Sequence, residues 1–175
     1  MLQRLLIANR GEIAIRIARA AADAGIASVA VFSEDDAGAL HARRADAAVA
    51  LRGSGPAAYL DVAGLVAAAR EAGCDALHPG YGFRSEDPAL ARACLEAGLV
   101  FVGPSPETLT LFGDKTAARR FAALCGVPVL RGGEGPASLE SAHAFLAAHG
   151  SLVLKAVSGG GGRGMRVVAD PAALG

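Results

Sequence analysis

The run Leu152-Val153-Leu154-Lys155-Ala156-Val157-Ser158-Gly159-Gly160-Gly161-Gly162-Arg163-Gly164-Met165-Arg166-Val167-Val168 holds the strongest chemical signal in the chain. Lys155 stands in an apolar stretch that reads as a strand. Burying an unpaired ammonium there is costly, so the pattern predicts that Lys155 faces a cleft and meets an anion. The consecutive glycines Gly159, Gly160, Gly161 and Gly162 let backbone N–H groups approach phosphate oxygens with no Cβ in the way, and Arg163 and Gly164 are their loop neighbours. The loop joins two strand-like segments and continues into Met165-Arg166 instead of Lys-Ser/Thr, so it is neither a Walker A loop nor a dinucleotide fingerprint. A glycine-rich hairpin that folds down on a triphosphate fits it. A flexible linker is the competing reading, weakened by flanking strands that carry a lysine on one side and arginines on the other.

Three further segments are candidates. In Gly113-Asp114-Lys115 the lysine falls at a helix N-terminus with Asp114 as the expected N-cap. A cation there opposes the helix dipole, and a bound anion would reverse that penalty as Lys115 and the free N–H groups converge on it. Taken alone, the motif reads more simply as an exposed lysine pointing away. His78-Pro79-Gly80-Tyr81-Gly82-Phe83 follows a strand, at the end where open α/β sheets bind ligands. A shaped ligand loop and a tight turn with an aromatic plug account for it equally. Asn9-Arg10-Gly11-Glu12 follows the first strand, where a dinucleotide's pyrophosphate would lie, but only Gly11 of G-x-G-x-x-G is present, so the segment reads as a structural turn.

These residues need a frame. Strands are expected at Leu5 to Ala8, Ala27 to Phe32, Ala47 to Leu51, Ala76 to His78 and Leu99 to Val102. Helices are expected between them at Glu12 to Ala24, with Ile13, Ile17 and Ala21 on one face and Glu12–Arg16 and Arg19–Asp23 pairs on another, at Leu60 to Ala72, and from a Ser85 cap to Gly98. This alternation predicts an α/β doubly wound parallel sheet. The rhythm changes near Phe112, where a domain boundary separates 1–112 from 113–175. Beyond it, helices are expected at Lys115 to Leu124 and Leu139 to Ala148, and a hairpin at Leu152 to Val157 and Met165 to Ala169.

The chain is 53% hydrophobic and 19% charged with zero formal net charge, which excludes a disordered tail and argues against a charge-driven grip on nucleic acid or an anionic membrane. No apolar run approaches the about 18 residues of a membrane span, and the N-terminal MLQRLLIANRGE does not read as a signal peptide. Cys74, Cys94 and Cys125 lack metal-ligand spacing, so three reduced cysteines and a cytoplasmic setting are expected.

Taken in order, ANRGEIAIRI (8–17), HPGYGF (78–83) with Ser85-Glu86, FVGP (101–104), GDK (113–115), GVP (126–128) and KAVSGGGGRGMRVV (155–168) resemble the biotin carboxylase family across essentially the whole chain. The resemblance implies a Rossmann-like pre-ATP-grasp domain over 1–112, which shapes one wall of the cleft, and the start of an ATP-grasp domain over 113–175. It implies an ATP-dependent ligase that activates bicarbonate with Mg-ATP and carboxylates biotin on a carboxyl carrier domain, as a homodimer in complete enzymes. Lys115 and Lys155 match lysines that contact ATP, and Gly161 and Gly162 match glycines that close over its phosphates. Acyl-CoA, pyruvate and urea carboxylases share this front end. ATP-grasp chemistry on another substrate, as in carbamoyl phosphate or other carboxylate–amine ligases, is a further reading, against which the HPGYGF and RGEIA segments argue. Arg84, where a leucine is usual, and Pro88 depart from the pattern.

After Lys155 the only acidic residue is Asp170, so the magnesium ligands and the catalytic base are expected beyond residue 175. The 175-residue chain is therefore expected to be a fragment, inactive alone and without a catalytic residue or metal ligand of its own. A non-catalytic folding or dimerisation module, or one piece of a split carboxylase, is the alternative.

Overall fold

Leu5 and Ile7 face one side of β1 (Arg4–Ile7), Leu6 faces the other, and all three are buried, which marks this strand as the middle of a sheet covered on both faces. The computed structural model, which describes residues 1–133, 135–156 and 164–174, places it there. The chain divides into two compact units, Met1–Thr110 and Leu111–Gly175.

In the first unit β1 is followed by α1 (Gly11–Asp23), β2 (Ala27–Phe32), α2 (Leu40–Arg44), β3 (Ala47–Ala50), α3 (Val62–Glu71), β4 (Ala76–His78), α4 (Pro88–Glu96), β5 (Val100–Phe101) and α5 (Pro106–Gly113), the last running on across the unit boundary. The strands pair in parallel in the order β3-β2-β1-β4-β5. This is the expected α/β parallel sheet, and the strand order reverses between β1 and β4. On one face Leu6, Val29, Val31 and Leu77 pack with Leu65 and Ala69 of α3 and Leu90 and Cys94 of α4. On the other, Leu5, Ile7 and Ala76 pack with Ala14, Ile17, Ala18 and Ala21 of α1. Small residues dominate the α1 seam, so helix and sheet approach closely.

Several expected boundaries moved, each for a local reason. The helix expected from Leu60 begins at Val62, because a 3₁₀ turn occupies Pro56–Leu60 and the Asp61 carboxylate caps from the far side, accepting from the Gly64 N–H at 3.1 Å. Ser85 does not cap α4. Asp87 does, accepting from the Ala89 N–H at 2.8 Å, and Pro88 sits at the first helical position, where a missing N–H costs nothing. Helix α5 was not anticipated, although its start is written in the sequence: Ser105 accepts from the Thr108 N–H at 3.2 Å, and Pro106 and Glu107 open the first turn. The predicted Glu12–Arg16 pair does not form, and Glu12 instead accepts from the Tyr81 hydroxyl at 2.9 Å.

The second unit holds α6 (Lys115–Leu124), α7 (Leu139–His149) and an antiparallel hairpin of β6 (Leu152–Lys155) and β7 (Met165–Val168). Ser138 and Ser141 form a capping box on α7, and Gly150 ends that helix at φ 74°. Among the described residues the buried core here is Ala142, Leu146, Leu152 and Val168, and α6 buries none of its side chains. A core that small stabilises little. Amide hydrogen exchange is expected to be faster throughout Leu111–Gly175 than in the strands of Met1–Thr110, and equal protection in both units would contradict this. No described helix is long and apolar enough to cross a membrane, and the three cysteines are free, with only Cys125 exposed.

Candidate functional site

The segments singled out from the sequence fall at one place in the first unit and on two separate elements, the hairpin and the start of α6, in the second. The first is the C-terminal edge of the parallel sheet, where β1 and β4 end side by side: Ala8 N–H donates to the His78 carbonyl at 2.9 Å. The Asn9-Arg10-Gly11-Glu12 turn and the 78–83 loop, distant in sequence, meet here. Asn9 is fully buried and donates to the carbonyls of Pro79 at 2.8 Å and Tyr81 at 3.0 Å. His78 Nδ1 accepts from the Gly80 N–H at 3.0 Å, and burial lowers the imidazole pKa, which keeps the ring neutral and the bond intact near neutral pH.

Arg10 turns toward α2's side of the edge and forms a two-point ion pair with Asp36, Nε and Nη2 each 2.5 Å from a carboxylate oxygen. The buried Tyr59 hydroxyl donates to the same carboxylate at 2.7 Å and accepts from the Ser33 N–H at 3.2 Å. Arg10 and the Tyr59 hydroxyl together hold the Asp36 carboxyl well below the usual carboxylate range, and burial with the Asp36 hydrogen bond raises Tyr59. The Tyr59 ring stacks on Phe83 at 5.3 Å. The 78–83 loop is thus held from three directions, and no reading of the sequence linked Asp36 or Tyr59 to it. Arg84 reinforces the next step, donating to the Leu60 carbonyl at 2.9 Å and pairing with Asp87 at 2.6 Å. Arg84 and Pro88 therefore both serve the entry to α4. Beside the loop, a groove of about 560 Å³ runs between α1 and the sheet, walled by Leu5, Ile13, Ile17, His78, Tyr81 and Val102.

The second place is the hairpin. Lys155 and Met165 are its last register pair, and Ala156 N–H donates to the Gly164 carbonyl at 2.8 Å, so Lys155 and Gly164 stand together where the strands part. Lys155 is not sunk in the strand, in line with the expectation that its ammonium avoids burial. The strand ends on it and the side chain is exposed, which spares the cost of burying an ammonium. Gly159, Gly160, Gly161, Gly162 and Arg163 lie outside the described residues. Lys115 is on a different element, exposed at the first position of α6. Asp114 already accepts from the Thr116 N–H at 2.8 Å and the Ala117 N–H at 2.9 Å, and those two bonds lower its own pKa. Two of the N–H groups at this helix end are therefore already met by Asp114, beside an exposed Lys115 side chain.

Both lysines are thus exposed cations at element ends, Lys115 at the start of α6 and Lys155 at the end of β6. Among the described residues no group of three or more His, Cys, Asp or Glu side chains gathers to hold a metal ion, so no described set fits a magnesium ion.

Comparison with known proteins follows the same division. Residues 1–109 match the family model for the biotin carboxylase N-terminal domain, and residues 114–175 match that for the carbamoyl-phosphate synthase L chain ATP-binding domain. Mitochondrial pyruvate carboxylase of Mus musculus is 49% identical over 171 residues, 95% of this chain and 14% of its own length. The biotin carboxylase domain of a single-chain bacterial carboxylase superposes with a TM-score of 0.88 at 53% identity, over 98% of this chain and 38% of that one. A biotin carboxylase complex with a β,γ-ATP ligand from Campylobacter jejuni gives 0.94 at 39%, over 99% and 40%. The chain spans about one seventh of the curated pyruvate carboxylases it matches.

Proposed function

The chain belongs to the biotin carboxylase family through its N-terminal domain, and on that premise we propose that it contributes that domain and part of the ATP site to an ATP-dependent ligase that carboxylates carrier-bound biotin. ATP supplies the phosphoryl group that activates bicarbonate as carboxyphosphate, from which the carboxyl group passes to biotin on its carrier domain. Lys155 and the loop glycines Gly161 and Gly162, flanked by Gly159, Gly160, Arg163 and Gly164, close on the phosphates, and Lys115 adds a second positive charge. The C-terminal edge of the parallel sheet, with its 78–83 loop, walls the ligand cleft. The complete enzyme works as a homodimer in the cytoplasm with magnesium held by residues outside this chain.

The observation that carries the reading is the hairpin itself, in which one strand ends on an exposed lysine and its partner starts beyond a run of glycines. The lone chain is expected to bind Mg-ATP in a calorimetric titration and to show no biotin-dependent ATP cleavage. Absent binding would remove the nucleotide site from this chain, and cleavage stimulated by free biotin would show that the chain is catalytically complete. A second role in assembly is favoured by α6, whose Phe121 and Leu124 are exposed at 43% and 81%. A monodisperse monomer in light scattering, unchanged by a complementing carboxylase segment, would count against that role.

A further inference from the structure

Asn9 is the only asparagine in the chain, is fully buried, and has both ends of its carboxamide engaged. Its Nδ2 donates to the carbonyls of Pro79 and Tyr81, 2.8 and 3.0 Å away, and its Oδ1 accepts from the Arg10 N–H at 2.9 Å. A buried amide is tolerated only when paired in this way. It joins the ends of β1 and β4, the two strands between which the sheet order reverses. In open α/β sheets that crevice receives the ligand. Here the Asn9 side chain spans it, bonded to the loop that follows β4. Between the two acceptors, Gly80 passes so close that a Cβ would stand 2.7 Å from Asn9 Nδ2 and 2.7 Å from Ile13 Cγ2.

The loop fastened by this amide is strained. Phe83 is the one non-glycine residue with positive φ, at 45°, among the described residues, and such a conformation persists only where the surroundings over-determine it. The Tyr59 ring supplies one restraint and Asn9 the other. Between them Tyr81 stands 58% exposed at the sheet's C-terminal edge, its hydroxyl tied to Glu12. We propose that Asn9 is a positioning residue, whose carboxamide closes the β1/β4 crevice and fixes where the 79–83 loop presents Tyr81 to the cleft. That the loop walls a cleft rests on the carboxylase reading above.

The chain has no tryptophan and two tyrosines, Tyr59 and Tyr81, so fluorotyrosine labelling gives two ¹⁹F resonances, one buried and one exposed. Asn9→Asp keeps the shape and the acceptor but turns an oxygen toward two carbonyls. At pH 7 the Tyr81 resonance is expected to move toward that of free fluorotyrosine while Tyr59 stays in place. As pH falls and the introduced carboxyl takes a proton, it can donate to one carbonyl again, and the difference from the wild type should shrink. A Tyr81 resonance that coincides with the wild type at pH 7 overturns the proposal, as does a displaced one that acid leaves unrestored.

Should the variant fail to fold, moving both resonances together, the wild-type chain decides. Asn9 and Gln3 are its only carboxamide side chains. The Asn9 NH₂ protons are expected to exchange far more slowly than those of exposed Gln3 and to show contacts with Tyr81; equal exchange overturns the proposal. A chain that binds no ATP would leave all these signals unchanged, so failure of the carboxylase reading is told apart from failure of this one.

Discussion

Replacing Lys155 by alanine is expected to weaken Mg-ATP binding to this chain by about ten- to a hundredfold, with no loss of folded structure. A hydrogen bond to a charged group contributes about 1.5–3 kcal/mol, and each 1.4 kcal/mol is about tenfold in affinity. The side chain is exposed at the end of β6 and packs no core, so its removal leaves the hairpin and the Leu146–Leu152–Val168 cluster intact. Calorimetry of wild type and variant side by side makes the measurement, with circular dichroism as the check on folding. Equal affinity in the two would dissociate Lys155 from the nucleotide. Lys155→Arg keeps the charge but not the compact ammonium, and is expected to recover only part of the binding.

The second large effect is on stability. Asp36→Asn is expected to destabilise the first unit by about 2–3 kcal/mol, the upper range for a hydrogen bond to a charged group. It removes the charge that Arg10 and Tyr59 were arranged to meet. Because the Arg10 side chain is 46% exposed, solvent screens part of the ion pair, and the effect stays below that of a fully buried one. Tyr59→Phe is expected to cost about 1.5–3 kcal/mol, since it leaves the Ser33 N–H without its acceptor. The double variant should cost less than the sum, because both changes act on one carboxylate.

The pH dependence follows from the sign of the shift. The folded Asp36 pKa lies below its unfolded value of about 3.9, so the unfolded state binds the extra proton in acid. The contribution is fully present above pH of about 4 and is lost as pH falls through the folded value. Wild-type stability, followed by tyrosine emission that reports Met1–Thr110 alone, should therefore fall more steeply in acid than that of Asp36→Asn. Parallel acid limbs would show that the carboxylate is not held by its partners.

Local signals carried much of this molecule. The apolar runs at 27–32 and 76–78 became β2 and β4 as expected, and the Asp114 cap and the α7 helix depend on residues a few positions apart. Period and capping are short-range properties, so a linear reading finds them. The motif order was likewise sufficient to point to the family. The 159–163 loop, the centre of the nucleotide reading, remains where the sequence left it, outside the described residues.

Packing supplied the rest. Strand order is a matter of which edges pair, and nothing local says that β4 lies beside β1 and not beside β3. Asn9 looked like part of an ordinary turn because its partners are 70 and 72 residues away. Asp36 meets Arg10 across 26 residues and Tyr59 across 23. The burial of these polar groups is created by the sheet and its helices closing around them. Residue types and short spacings identified where this chain could meet phosphate, while its polar anchors became visible only when folding removed them from water and forced each to find a partner.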